Sequence, residues 1–106
     1  MNRLKQLLQL NKEEPNDAFL QFAIAKEYEK SEDWDQAFSF YKTLVSKHPD
    51  YVGTYYHLAK LYERHEDWEA AKEMYEKGMN AAESQADHHS LRELKEAYTL
   101  LEARFD

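Results

Sequence analysis

The sequence predicts an all-α protein of about six helices arranged as antiparallel pairs. Three observations carry this. One stretch occurs twice, 34 residues apart; apolar residues recur at helical spacings through most of the chain; and only two glycines and two prolines interrupt 106 residues. The first copy of the stretch reads Ala25-Lys26-Glu27-Tyr28-Glu29-Lys30-Ser31-Glu32-Asp33-Trp34-Asp35-Gln36-Ala37. The second reads Ala59-Lys60-Leu61-Tyr62-Glu63-Arg64-His65-Glu66-Asp67-Trp68-Glu69-Ala70-Ala71. Tyr41 and Tyr75 keep the same offset. A period of this length marks a unit that cannot bury its apolar face alone and must stack on a neighbour.

Small, aromatic and alanine positions in this order, repeated every 34 residues, resemble the tetratricopeptide repeat. The resemblance implies helix-turn-helix units stacked into a right-handed superhelix, and a role in holding another protein. In that frame one domain covers the chain. Residues 1–14 form an N-terminal capping helix, 18–51 the first repeat, 52–85 the second, and 87–106 a C-terminal capping helix.

Composition narrows the function. Charged residues make up 33% of the chain and apolar ones 42%, a balance suited to a soluble helical protein. The net charge of −7 argues against nucleic acid, which needs cations to neutralise phosphates. Without cysteine there is no disulfide, zinc-thiolate site or thiol chemistry. The first ten residues lack a continuous apolar run, so no secretory signal is expected, and no stretch is suited to span a membrane. The expected compartment is the cytoplasm. The chain starts at Met1 and ends on a polar tail, as a small complete gene product would.

Each helix has its own local signal. Leu4, Leu7, Leu8 and Leu10 have a helical spacing, with Leu7 at the repeat position of Tyr41 and Leu10 at that of Leu44. Pro15 breaks this helix, and Asn16 or Asp17 can cap the next by accepting an N–H from its first turn. On residues 18–31, Gln21, Ile24, Ala25 and Tyr28 share one arc. Asp33 with Gln36 fits a capping box, opening a helix to about Lys47 with Ala37, Tyr41, Leu44 and Val45 inward. His48-Pro49 ends it, and Asp50 can cap the fourth helix. The second repeat turns Tyr55, Leu58, Ala59 and Tyr62 inward, then Ala71, Tyr75 and Met79. Gly78 stands mid-helix, which suggests a close helix crossing. Glu83 replaces the expected proline, leaving that helix to end near Ser84 to Ala86. Asp87 or Ser90 can cap a last helix with Leu91, Leu94, Tyr98, Leu101 and Phe105 in one stripe. Lys95 stands there in place of the small residue found at Ala25 and Ala59, which would block a further helix.

Chemistry-bearing patterns are sparse. Trp34 and Trp68 each come just after a cap and suit the joint between helices. The five histidines show no metal-ligand spacing, and two glycines cannot build a phosphate loop. Neither a cofactor, a metal nor an enzymatic activity is expected.

A strip opposite the packing arc stands out. In the first repeat it is Phe19, Phe22, Lys26, Glu29 and Lys30; in the second, Gly53, Tyr56, Lys60, Glu63 and Arg64; on the last helix, His89, Arg92, Glu96, Thr99 and Leu100. An aromatic residue and a basic ladder recur at fixed offsets in a chain of net −7. The resemblance implies that first helices line a concave face and that these positions meet ligand. The expected groove residues are Phe19, Phe22, Lys26, Lys30, Tyr56, His57, Lys60, Arg64 and Arg92. The family's carboxylate-clamp set is not matched: its offsets carry Lys26, Ala23, His57 and Lys60, without asparagine. The expected ligand is an acidic or partly apolar segment of another protein. The alternative is self-association through the chain ends, the groove or Leu100.

The register makes the small residues testable. Ala25→Leu or Ala59→Leu should overpack a helix crossing and cost about 1–3 kcal/mol, read as a lower thermal midpoint; unchanged midpoints in both would disprove the register.

Overall fold

The structure, a computed structural model, describes residues 2–105. Six α-helices lie among them: α1 (Arg3–Glu13), α2 (Ala18–Lys30), α3 (Trp34–Lys47), α4 (Gly53–Arg64), α5 (Trp68–Ser84) and α6 (His88–Ala103). The chain forms two compact units, Met1–His48 and Pro49–Asp106.

Helix starts are set by local chemistry. Asn2 accepts the Lys5 N–H at 2.8 Å and Asp17 that of Leu20 at 3.1 Å. Asp33, Asp67 and Asp87 accept the N–H groups of Gln36, Ala70 and Ser90. Each satisfies a first-turn donor that has no partner within its helix. The hydrogen bonds from Ser90 hold the Asp87 carboxyl below the usual carboxylate range. The cap expected at Asp50 is not formed. α4 begins three residues later, after Val52, with no side-chain cap; its first turn tightens instead through Thr54 N–H to the Tyr51 carbonyl and Tyr55 N–H to the Val52 carbonyl. The Asp50 carbonyl accepts the Gln85 side-chain amide at 2.7 Å, tying the start of this unit to the end of α5.

Helix ends reuse one device. Residues 31–33, 65–67 and 85–87 are three-residue joints after α2, α4 and α5. In each, the middle residue is left-handed: Glu32 at φ 62°, Glu66 at 59° and Ala86 at 55°. The following aspartate N–H then reaches back to the carbonyl of Tyr28, Tyr62 or Ala82, each at 2.9 Å. This is the Schellman closure, formed here without the usual glycine.

In the first unit, α2 packs against both α1 and α3. Leu7, Ala23 and Ile24 form a buried cluster, with Leu4, Leu8, Leu20, Tyr28 and Phe40 against it. Leu10 departs from its expected place: it is exposed, whereas its repeat counterpart Leu44 is fully buried. In the second unit, α5 packs against both α4 and α6, burying Tyr55, Leu58, Leu61, Tyr75, Leu94 and Leu101. Ala25, Ala37, Ala59 and Ala71 have no exposed surface, as positions of close approach require. Phe105 lies past the end of α6 and is largely exposed, its ring meeting Trp68 edge-on at 5.2 Å. Ala97, outside the expected stripe, is buried instead.

Gly78 is required by space. A Cβ at this position would lie 2.6 Å from Tyr55 Cβ and 3.1 Å from a Leu94 methyl. Tyr55 Cβ moves only with its backbone, so α4 would have to retreat. Gly78→Ala should therefore destabilise by about 1–3 kcal/mol, although alanine favours an unconstrained helix by about 1 kcal/mol. Denaturant titration reads the sign; a stabilised variant would disprove the close crossing.

Candidate functional site

Three strip residues of each unit belong to a constellation that recurs at matching repeat positions. In the first unit Phe22 on α2 meets Tyr41 of α3 edge-on, with ring centroids 6.2 Å apart. Lys26, one turn on, places its Nζ 5.7 Å from the Phe22 ring centroid. The Tyr41 hydroxyl donates to Glu29 at 2.8 Å. In the second unit Tyr56 on α4 meets Tyr75 of α5 edge-on at 6.5 Å. Lys60 Nζ lies 5.7 Å from the Tyr56 centroid, and the Tyr75 hydroxyl donates to Glu63. Every member of one set is 34 residues from its counterpart.

Helical geometry explains the grouping. Phe22, Lys26 and Glu29 stand at i, i+4 and i+7, as do Tyr56, Lys60 and Glu63, so each trio shares one face. A lysine ammonium within about 6 Å of an aromatic face is attracted by the ring quadrupole. Its alkyl stem meanwhile covers the ring edge.

Phe22 and Tyr56 are half-buried rather than exposed, because each leans on the tyrosine of the next helix. Phe19 is largely exposed. Lys26 and Lys30 are exposed; Lys60 is half-buried and pairs with Glu63 at 3.8 Å. Lys30 and Arg64 lie in the last turns of their helices, where cations also complement the helix dipole. His57 is half-buried beside Tyr56, ring centroids 5.8 Å apart, and Arg92 is exposed on α6. Within the second unit, Tyr56 and Lys60 share a cleft with Glu93, Glu96, Ala97 and Leu100 of α6. Leu100 is 63% exposed there.

Sequence reasoning missed the tyrosine–glutamate bonds. Glu29 and Glu63 read as solvated strip members, and Tyr41 and Tyr75 as core. The available signal was the shared twelve-residue separation of each pair across a helix joint. These bonds perturb the phenols. Burial, then the hydrogen bond and negative charge of Glu29, push Tyr41 far above its ordinary pKa. Burial and Glu63 do the same for Tyr75. No His, Asp and Glu side chains among the described residues cluster in groups able to hold a metal ion. No helix among them is long and apolar enough to cross a membrane.

Paired helices with a duplicated surface constellation define a helical-repeat scaffold. Residues 28–94 match the family model described as tetratricopeptide repeat, and the chain belongs to that family. Solved structures agree. The solution structure of a tetratricopeptide repeat domain protein from Salinibacter ruber is 38% identical, covers 84% of this chain and 90% of its own, and superposes with a TM-score of 0.81. A protein from Bordetella parapertussis is 22% identical over 98% of this chain and 90% of its own, with a TM-score of 0.82. PcrH, crystallised in complex with the chaperone binding region of PopD, is 16% identical, covers 97% of this chain and 78% of its own, and has a TM-score of 0.86. A search of curated proteins finds no match.

The tyrosines give a pH signature. Their folded-state pKa values lie above the unfolded value, so the stabilisation is complete below about pH 10 and declines as pH rises beyond it. Tyr41→Phe with Tyr75→Phe should flatten that alkaline loss, measured by denaturant titration at several pH values. An alkaline limb equally steep in the double variant would contradict the assignment. Other raised tyrosines, Tyr55 and Tyr62 among them, leave some slope in place.

Proposed function

We propose that this protein is a non-catalytic interaction module, acting in the cytoplasm, that holds an acidic and partly apolar segment of a partner protein. The observation that carries the reading is the aromatic–lysine pair repeated on α2 and α4, with both ammonium groups 5.7 Å from their rings. Phe22 and Tyr56 offer apolar surface; Lys26 and Lys60 offer charge beside it. Within the first unit Phe19 and Lys30 extend this surface, and within the second His57, Arg64 and Arg92 do. A PopD segment held by PcrH on the same fold supports a peptide segment as the kind of ligand.

Magnitudes shape the expected behaviour. Exposed ion pairs contribute only about 0–1 kcal/mol each. Binding should be modest, weakened by salt and carried mainly by the aromatics.

Lys26→Glu combined with Lys60→Glu should leave the protein folded at a cost of about 1–2 kcal/mol, because Lys60 is half-buried and pairs with Glu63. The same double variant should lose partners that the wild type captures from native lysate. Capture at the wild-type level by a folded double variant would refute the reading. The exposed Leu100, bordering the cleft with Tyr56, favours one alternative: self-association through α6. Light scattering across concentration decides it, because a mass constant at 12.7 kDa removes that alternative.

A further inference from the structure

Arg104 belongs to no strip read from the sequence. It caps the C-terminus of α6, and its guanidinium carbon stands 4.7 Å from the Trp68 ring centroid. Trp68 opens α5, and Phe105 meets the same indole edge-on. Two consecutive residues after α6 are thus fastened to the start of α5. The side of Trp68 toward α4 borders a cleft of about 500 Å³, lined by Lys60, Glu63, Arg64, Glu66, Trp68 and Arg104.

Charge in this cleft runs against the rest of the molecule. Three cations meet two carboxylates in a chain of net −7. One of those carboxylates, Glu63, already accepts the Tyr75 hydroxyl and pairs with Lys60. Glu66 lies in the joint between α4 and α5, and is exposed. Cations outnumber carboxylates by one in the lining, and the wall beside them is an indole.

We infer that this cleft is a docking pocket for a carboxylate side chain flanked by an apolar residue on a partner protein, with Arg104 determining specificity. The inference rests on the proposed interaction role and locates its charge recognition. Arginine presents a rigid fork of donors that matches a carboxylate with two parallel bonds. Stacking on Trp68 holds that fork in place, so little side-chain entropy remains to be lost on binding. The cleft shares Lys60 with the Tyr56 constellation, so a segment lying along α4 reaches both. An apolar neighbour of the docked carboxylate then meets the part of the indole that Arg104 leaves uncovered at the cleft wall.

The test uses two short synthetic peptides, one alternating Glu with Leu and its twin with Gln replacing Glu, titrated by fluorescence anisotropy at low salt. Wild type should bind the Glu peptide roughly three- to tenfold more tightly than the Gln twin at low salt, as one or two exposed charge contacts allow. Arg104→Gln should weaken Glu-peptide binding about three- to tenfold and leave the Gln twin unaffected. Arg64→Gln provides a second reading should Arg104→Gln lower the melting temperature. Lys77→Gln, on α5 where Lys77 pairs with Glu73, should bind like wild type. Wild-type affinity in both Arg104→Gln and Arg64→Gln would overturn the pocket while leaving the interaction module standing. No discrimination between the peptides by wild type would overturn the acidic-segment reading and the pocket together. Displacement of the peptide by inorganic phosphate, but not by chloride of equal ionic strength, would make this a phosphate site and also overturn the proposal.

Discussion

Three aspartates set the geometry on which the rest depends. Asp33, Asp67 and Asp87 each close one helix with the backbone N–H and open the next with the side chain. One residue thus supplies a donor to a stranded carbonyl and an acceptor to a stranded amide, and the joint has no slack. The left-handed residue before it is the cost: non-glycine residues resist that conformation by about 1–2 kcal/mol. Packing of Ala37 and Ala71 shortly after two of the joints, both fully buried, holds them in that form.

The joints decide what the surface can be. Fixing α3 against α2 brings Tyr41 to Glu29 and to the edge of Phe22; fixing α5 against α4 does the same for Tyr75, Glu63 and Tyr56. A phenol that donates inward to a surface carboxylate uses up part of that carboxylate's capacity to pair with lysine. Glu63 nevertheless keeps its charge and its pairing with Lys60, so lysine and glutamate stand side by side on the strip. Its aromatic members gain rigidity from the tyrosines behind them, which suits a surface that must bind without first ordering itself.

The repeat made most of the fold legible. A 34-residue period, the alanines of close approach and the capping aspartates are local signals, and α2, α3 and α5 start directly after caps the sequence offered. Gly78 was readable as a crossing because glycine inside a helix needs a spatial reason. What failed depended on local backbone geometry. Asp50 has the chemistry of a cap, yet Val52 takes the cap position of α4 in a helical conformation, and the Tyr51 and Val52 carbonyls accept the first-turn N–H groups of Thr54 and Tyr55. The candidate site was legible as a pattern of residue types. Its tyrosine–glutamate bonds and the Arg104 stack join residues from different helices, and no periodicity within one helix announces such pairs.

The packing order of the helices carries a kinetic consequence. The most extensive contacts join α1 to α2, α2 to α3, α4 to α5 and α5 to α6, partners that are consecutive in sequence. Loop closure between such neighbours costs little entropy, because only three-residue joints separate most of them. Topologies rich in local contacts fold within about microseconds to milliseconds. Structure can nucleate at any helical hairpin and spread to the next, leaving little time for an exposed tryptophan or leucine to find another chain.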